Sequence, residues 1–274
     1  MAKPRLTNSA RPATFEVEAY NESGEMVPTA IAGEHPLTLY LDKREIVTLM
    51  TLGHAPEALL IGYLRNQRLV DSIDDIASVQ VDWETDAAAV VTRKQKKIDL
   101  RKKTVTSGCG QGTMFGDLME EIDRIELRKD VFLEDEKLFL LVEKVRKHET
   151  IYKQAGAVHG CALATLEGEI LMFVEDVGRH NAVDAIAGFM WLDGIDGSDK
   201  VFYTTGRLTS EMVIKCAQMR IPFLVSRSGL TQMGHEIARK VGITMLGRAS
   251  GRHYLLFSGR ERIKRTSPQR TAVA

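Results

Sequence analysis

A chain of 274 residues with 44% hydrophobic and 27% charged side chains has the make-up of an ordinary globular protein, long enough for one large or two modest domains. Its 37 basic and 37 acidic residues cancel to a formal net charge of +0, which argues against a nucleic-acid-coating role, and no stretch approaches the ~20 apolar residues of a membrane helix. The three cysteines, Cys109, Cys161 and Cys216, are far apart and form no C-x-x-C pair, so neither a disulfide framework nor a metal site is expected. With no apolar leader at the N-terminus, the expectation is a cytoplasmic, reducing environment.

In chain order, residues 1–14 are polar, contain two prolines and read as a flexible tail. Residues 15–105 read as a smaller β-rich N-terminal domain, because Phe15–Tyr20, Leu37–Leu41, Glu45–Met50 and Ala77–Trp83 alternate in the manner of strands. One helix is predicted within it over Pro56–Arg65, with proline at the first helical position. A last strand starts at Val90. Residues 106–116 read as a mobile loop and 117–263 as the α/β main domain, with 264–274 a second flexible tail. Helices are predicted over Phe115–Ile125 and Glu134–His148, the second acidic at its start and basic at its end, as the helix dipole favours. Ala157–Leu166 and Ile170–Val174 read as adjacent buried strands joined by a turn at Glu167-Gly168-Glu169. Three further strands, Val201–Thr205, Pro222–Ser226 and Ile243–Gly247, alternate with helices over Ser210–Met219 and Thr231–Lys240. That rhythm predicts a parallel sheet with right-handed crossovers.

Cys109 sits in Ser107-Gly108-Cys109-Gly110-Gln111-Gly112-Thr113, shortly after the run Arg93–Lys103, which holds seven cations in eleven residues. Positive charge favours the thiolate, and flanking glycines leave room for a bulky partner, so the loop reads as the seat of a nucleophile. The plainer alternative is a turn around a small buried hydrophobe. Cys161 and Cys216 lie in apolar surroundings and read as core.

A second unusual segment, Glu175-Asp176-Val177-Gly178-Arg179-His180-Asn181-Ala182-Val183-Asp184, falls where a strand ends and a helix begins. Strand ends in open α/β sheets are where ligands bind, and Gly178, Arg179, His180, Asn181 and Asp184 are candidate ligand contacts. The alternative is a helix cap by Asp176 or Asn181 with His180 buried. The pattern recurs at the next strand ends, in Thr204–Glu211 with Gly206 and Arg207, and in Ser226–Thr231 with Ser228 and Thr231. Together these suggest a nucleotide-sized pocket, although no G-x-G-x-x-G or Walker A motif is present and several of the hydroxyls are also good N-caps.

On the segment Glu175–Asp184, and on Gly156–His159, Thr205–Leu208 with Ser210-Glu211, Ser228–Thr231 and the Cys109 loop, the sequence resembles the formate dehydrogenase accessory sulfurtransferases, the FdhD proteins, over roughly residues 34 to 262. The resemblance implies a cytidine-deaminase-like three-layer main domain, usually dimeric. It also implies that Cys109 carries a persulfide received from a cysteine desulfurase. The recipient is the molybdenum (or tungsten) bis-pyranopterin guanine dinucleotide cofactor, bound as cargo before insertion into formate dehydrogenase. Phe257-Ser258-Gly259-Arg260-Glu261-Arg262 corresponds to the family's cofactor-binding segment, and Arg179, Arg207, Arg260 and Arg262 are the cations expected near its anionic guanine nucleotide arms.

Two positions depart from the family pattern. Gly112 stands where many members have a second loop cysteine, and Ala185 stands where a lysine commonly follows the aspartate. The zinc-deaminase pattern is absent, so the implied fold carries neither zinc nor deamination with it. The competing reading is a nucleotide-binding cofactor chaperone that needs the pocket but no thiol; a standalone cysteine hydrolase lacks an assignable Cys–His–Asn/Asp set.

Overall fold

The computed structural model describes residues 3–94, 104–105, 112–113, 122, 124–148 and 150–266. It is a mixed α/β structure. The strands within residues 3–94 are β1 (Arg5–Leu6), β2 (Thr14–Tyr20), β3 (Met26–Ala32), β4 (His35–Leu41), β5 (Arg44–Thr51), β6 (Ile76–Asp82) and β7 (Ala87–Thr92), with helix α1 over Pro56–Asn66. Two short strands follow, β8 (Thr104–Val105) and β9 (Gly112–Thr113), then β10 (Leu133–Glu134), α2 (Asp135–Lys147) and α3 (Ile151–Ala155). The remainder runs β11 (His159–Thr165), β12 (Ile170–Asp176), α4 (Arg179–Asp193), β13 (Lys200–Thr204), α5 (Ser210–Gln218), β14 (Phe223–Ser226), α6 (Gln232–Val241), β15 (Thr244–Ser250), β16 (His253–Ser258) and β17 (Ile263–Lys264).

Two compact units share the chain. The first takes residues 1–121, 149–161 and 174–195, and the second takes 122–148, 162–173 and 196–274. The linear sequence reading assigned 174–195 to the α/β domain because a strand-then-helix pattern carries no information about which sheet the helix will cover.

In the first unit, β1, β6, β7, β4 and β5 form a sheet in that order. Alternate residues of β4, Leu37, Leu39 and Leu41, are at most 1% exposed, as the two-residue period requires. Helix α1 is apolar nearly all round and packs against α4. Two glycines set the distance between these helices: a Cβ on Gly62 would lie 1.7 Å from the Asp184 carbonyl oxygen, and one on Gly188 would lie 1.9 Å from that of Ala58. The backbones touch, which leaves α4 buried on every side over most of its length. Residues 3–13, expected as a loose tail, are held here. Pro4 is buried, Arg5 and Leu6 pair with Ser78 and Val79, and the Ser9 N–H donates to Glu57 at 2.9 Å.

The second unit is built on the six-stranded sheet of order β12-β11-β13-β14-β15-β16. The expected parallel register holds for β13, β14 and β15, while β16, which the sequence reading missed, returns antiparallel. Val201, Tyr203, Phe223, Val225 and Leu246 bury one face with Leu138, Leu141, Val142 and Val145 of α2. Phe202, Leu224 and Met245 alternate with them toward the other face, where the crossover helices α5 and α6 pack. The turn at Gly168 forms as read, with φ +77° and a 2.9 Å bond from the Thr165 N–H to the Glu169 carbonyl. Residues 263–266 are not free: β17 pairs with β10, and Thr266 donates to Asp135 through its N–H and its hydroxyl.

Candidate functional site

The segment 175–184 lies in the first unit and is tied into it by its own polar atoms. One oxygen of Asp176 accepts from the Thr51 hydroxyl at 2.6 Å and the Leu52 N–H at 3.2 Å; the other accepts from the Gly178 N–H at 3.0 Å and the Asn181 amide at 2.8 Å. Asn181 donates also to the Met50 carbonyl. Asp184 is fully buried and accepts from the Asn66 amide at 2.7 Å. Glu175 takes the Ile151 and Tyr152 N–H groups at the start of α3. Burial holds Asp176 above the ordinary carboxylate range against the pull of its four hydrogen bonds. Burial, with Asp184 adding to it, pushes the Tyr63 phenol up as well. Arg179 and His180, 7% and 2% exposed, sit on the first turn of α4, with Gly178 at its N-cap. Asp176 and Asn181 thus bond into the fold around them, while the N-cap of α4 is Gly178, with no side-chain cap hydrogen bond.

In the second unit the strand-end loops do converge. Thr204 and Ser226 are register partners at the C-terminal ends of β13 and β14. The Gly206 N–H donates to the Thr204 hydroxyl, the Ser226 hydroxyl donates to the Gly206 carbonyl at 2.6 Å, and the Ser228 N–H donates to the Ser226 hydroxyl. Backbone bonds from Leu208 to Gly229 and from Thr231 to Leu208 join the two loops. Thr231 caps α6 through the Gly234 N–H. Gly206, Arg207, Ser228 and Thr231 are thereby brought together.

That edge carries two arginines that were not singled out from the sequence. Arg227 directly follows β14, and its N–H donates to the Thr204 carbonyl; the Arg248 N–H, in β15, donates to the Ser228 carbonyl. Arg207, Arg227 and Arg248 are all exposed. Adjacent strands lie about 4.8 Å apart, so the three backbones stand on neighbouring strand ends of one sheet edge. Arg227 was visible in the loop motif. Arg248 has no sequence signal, since only the irregular β15–β16 pairing and its φ of 53° bring its backbone to Ser228.

Residues 258–262 stand at the opposite end of the same sheet. Because β16 is antiparallel, Ser258 pairs with Met245 at the start of β15. The Ser258 hydroxyl donates to the Ile243 carbonyl and accepts from the Met245 N–H. Gly259 has φ +74°, and a Cβ there would lie 2.2 Å from the Thr244 hydroxyl, so only glycine fits. The chain then makes one short turn over Arg260–Arg262. Arg260 and Glu261 are exposed, whereas Arg262 is 5% exposed, and burial lowers its pKa while Glu261 opposes that. Its Nη1 and the Thr244 hydroxyl have no hydrogen-bond partner among the described residues. Phe257 lies between the two edges, its carbonyl 3.1 Å from His235 and its ring against Gly247.

Cys109 and residues 106–111 lie outside the described residues, as does most of the helix expected over Phe115–Ile125. The strands on either side of the loop are described: Val105 pairs with Gly112 and Thr104 with Thr113. Gly112, one of the two departures from the family pattern, is therefore a ladder residue. Cys161 and Cys216 are buried at 0% exposure, as core residues should be. Among the described residues no cluster of potential metal ligands occurs, and no helix is long and apolar enough to cross a membrane.

The parallel strands of this α/β chain end in loops that gather hydroxyls, glycines and arginines on one edge of the sheet. Comparison gives the family. Residues 32–264 match the model of the FdhD/NarQ family. "Sulfur carrier protein FdhD" of Listeria innocua is 30% identical over 254 residues, covering 91% of this chain and 95% of the relative. The protein of that description from Sulfurisphaera tokodaii is 30% identical over 249 residues, 89% of this chain and 95% of its own. A solved structure from Desulfotalea psychrophila, described as a formate dehydrogenase accessory protein, superposes with a TM-score of 0.75 at 26% identity, over 92% of this chain and 100% of the other. The chain belongs to the FdhD/NarQ family.

Proposed function

We propose that the chain is a sulfur carrier in formate dehydrogenase maturation. Cys109 takes sulfur from a cysteine desulfurase and passes it to a molybdenum (or tungsten) bis-pyranopterin guanine dinucleotide cofactor, which the protein binds as cargo. The family and the names of its members support the sulfur-carrier and accessory roles. The cargo reading rests chiefly on one observation, the exposed trio Arg207, Arg227 and Arg248 on a single sheet edge, which suits the phosphates of a nucleotide arm. Arg262, with an Nη1 lacking a partner among the described residues, supports a second anion contact at the far edge, within the segment 257–262.

The chemistry balances with one thiol. The Cys109 thiolate attacks the outer sulfur of the donor persulfide, an S–S bond forms to Cys109, and the donor leaves as thiolate. The outer sulfur then binds the reduced metal of the cargo, which supplies two electrons and makes it sulfide, and Cys109 returns to thiolate. A homodimer in a reducing cytoplasm, with a cytidine-deaminase-like main domain, completes the proposal, the layered second unit being compatible with that fold.

Two measurements test it. Incubation with a desulfurase and cysteine should add the mass of one sulfur atom to the Cys109 peptide, and Cys109→Ala should abolish formate dehydrogenase activation while leaving guanosine diphosphate binding intact. Arg207→Ala, Arg227→Ala and Arg248→Ala should each weaken that binding about tenfold or more, as expected for a charge-assisted hydrogen bond. If Cys109→Ala still activates the dehydrogenase, the chaperone reading replaces this one.

A further inference from the structure

We propose that the β2–β3 ribbon is a docking edge for an extended segment of another protein, one that alternates basic and apolar residues. The inference is independent of the sulfur-carrier reading. Among the described residues β2 and β3 pair as strands only with each other, and α3 packs against the ribbon, chiefly along β3. Their register, Thr14↔Ala32 to Tyr20↔Met26, puts Phe15, Val17 and Ala19 on one face with Val27, Thr29 and Ile31. Phe15, Val27 and Ile31 are 42–48% exposed, and at the tip Tyr20 reaches 72% and Met26 54%. Exposed apolar side chains on one face of the ribbon, with Tyr20 and Met26 on the other face at its tip, mark an interaction surface.

The hydrogen-bond parity of the ribbon selects the edge. The Asn21 N–H donates to Glu25 and the Gly33 N–H to Ala13, so the odd residues of β2 spend their backbone groups on β3. Thr14, Glu16, Glu18 and Tyr20 therefore turn theirs outward. On the β3 side the corresponding outward position opposite Glu18 is Pro28, which has no N–H, so β3 is blunted, while among the described residues no strand pairs with the outer edge of β2. A strand added along β2 would meet Glu16 and Glu18 on one face and Phe15, Val17 and Ala19 on the other, the two-sided recognition of strand addition.

Charge complementarity selects the occupant. From Thr14 to Glu34 there are five glutamates and no lysine or arginine. A second copy of the ribbon, or an anionic lipid surface, would meet like charge; a basic strand would not.

The test uses the full chain and two fluorescent heptapeptides, one alternating lysine and valine and one alternating glutamate and valine. The lysine peptide should bind, more weakly in high salt, and the glutamate peptide should not. Glu16→Lys with Glu18→Lys should weaken binding about tenfold or more. Glu18→Pro should bind about fivefold more weakly than Glu18→Gln, because both lose the charge but only proline loses the outward N–H. Slow amide exchange of Phe15, Val17 and Ala19 in the proline variant confirms that the ribbon is intact. Absence of wild-type binding, equal binding of both peptides, or equal affinity of the proline and glutamine variants would overturn the proposal. So would a concentration-dependent dimer that the double lysine variant abolishes, or binding to phosphatidylglycerol vesicles in place of the peptide.

Discussion

Replacing Asp176 by asparagine keeps the shape of the side chain but removes its charge and turns one acceptor oxygen into a donor. Four donors surround that carboxylate: the Thr51 hydroxyl, the Leu52 and Gly178 N–H groups and the Asn181 amide. In Asp176→Asn the oxygen can serve Gly178 and Asn181, and the Thr51 hydroxyl can rotate to accept, but the Leu52 N–H faces another donor. A buried donor left unmade costs about 1–3 kcal/mol, and the surviving bonds lose their charge assistance. Relief from burying a charge offsets part of this, giving a net loss of about 2–4 kcal/mol. At roughly 2–4 °C per kcal/mol, the melting temperature at neutral pH should fall by about 4–16 °C.

The pH dependence has a definite sign. Burial raises the folded pKa of Asp176 above 3.8, so the fold prefers the protonated form. That contribution is complete below pH 3.8 and is lost as pH rises through the folded value, whereas asparagine has nothing to ionise. The deficit of the variant should therefore shrink as pH rises through a window beginning just above 3.8. Thermal melts across pH, with guanosine diphosphate titrations alongside, read both effects. A variant that melts within a degree of wild type yet loses nucleotide binding would refute the scaffold assignment and make Asp176 a ligand contact.

Two further outcomes follow from packing and burial. Gly188→Ala forces a methyl 1.9 Å from the Ala58 carbonyl oxygen and should cost about 3 kcal/mol or more in denaturant titrations, while Gly194→Ala, which has open space but an αL cap with φ +64°, should cost about 1 kcal/mol. Equal losses would show that the α1–α4 approach is not constrained as described. Arg262→Met removes a buried guanidinium whose Nη1 has no partner among the described residues, so stability should hold or rise by about 1 kcal/mol while guanosine diphosphate affinity falls. Loss of stability without loss of affinity would make Arg262 a structural residue instead.

Much of the local structure was legible because it rests on short-range periodicity. Proline at the start of α1, the dipole-matched charges of α2 and the spacing of β13, β14 and β15 each reflect interactions within a turn or a strand. The missed elements had weaker patterns. β3 contains Pro28 and only small residues between Pro28 and Ile31, and α3 is five residues long, its first N–H groups satisfied by Glu175 from another segment. The candidate site was legible as a set of loops, since glycine, hydroxyl and arginine clusters at strand ends are local signals. Its composition was not: Arg248 joins the edge only through a bond to Ser228, twenty residues earlier in the chain.

The sequence alone marked out the segments proposed to hold the chemistry: a glycine-flanked thiol, an acidic and amide-bearing turn before a buried helix, and arginine loops at strand ends. It also carried the residues of the FdhD/NarQ family over most of its length. Tertiary structure decided how those segments are used. Packing through Gly62 and Gly188 drew α4 against α1, so the polar atoms of Asp176, Asn181 and Asp184 are satisfied by Thr51, Leu52, Met50 and Asn66, more than a hundred residues away in sequence. The antiparallel return of β16 placed 258–262 at the end of the sheet opposite Arg207, Arg227 and Arg248. Strand direction and long-range hydrogen bonding are properties of the assembled sheet, and no local pattern of residues encodes them.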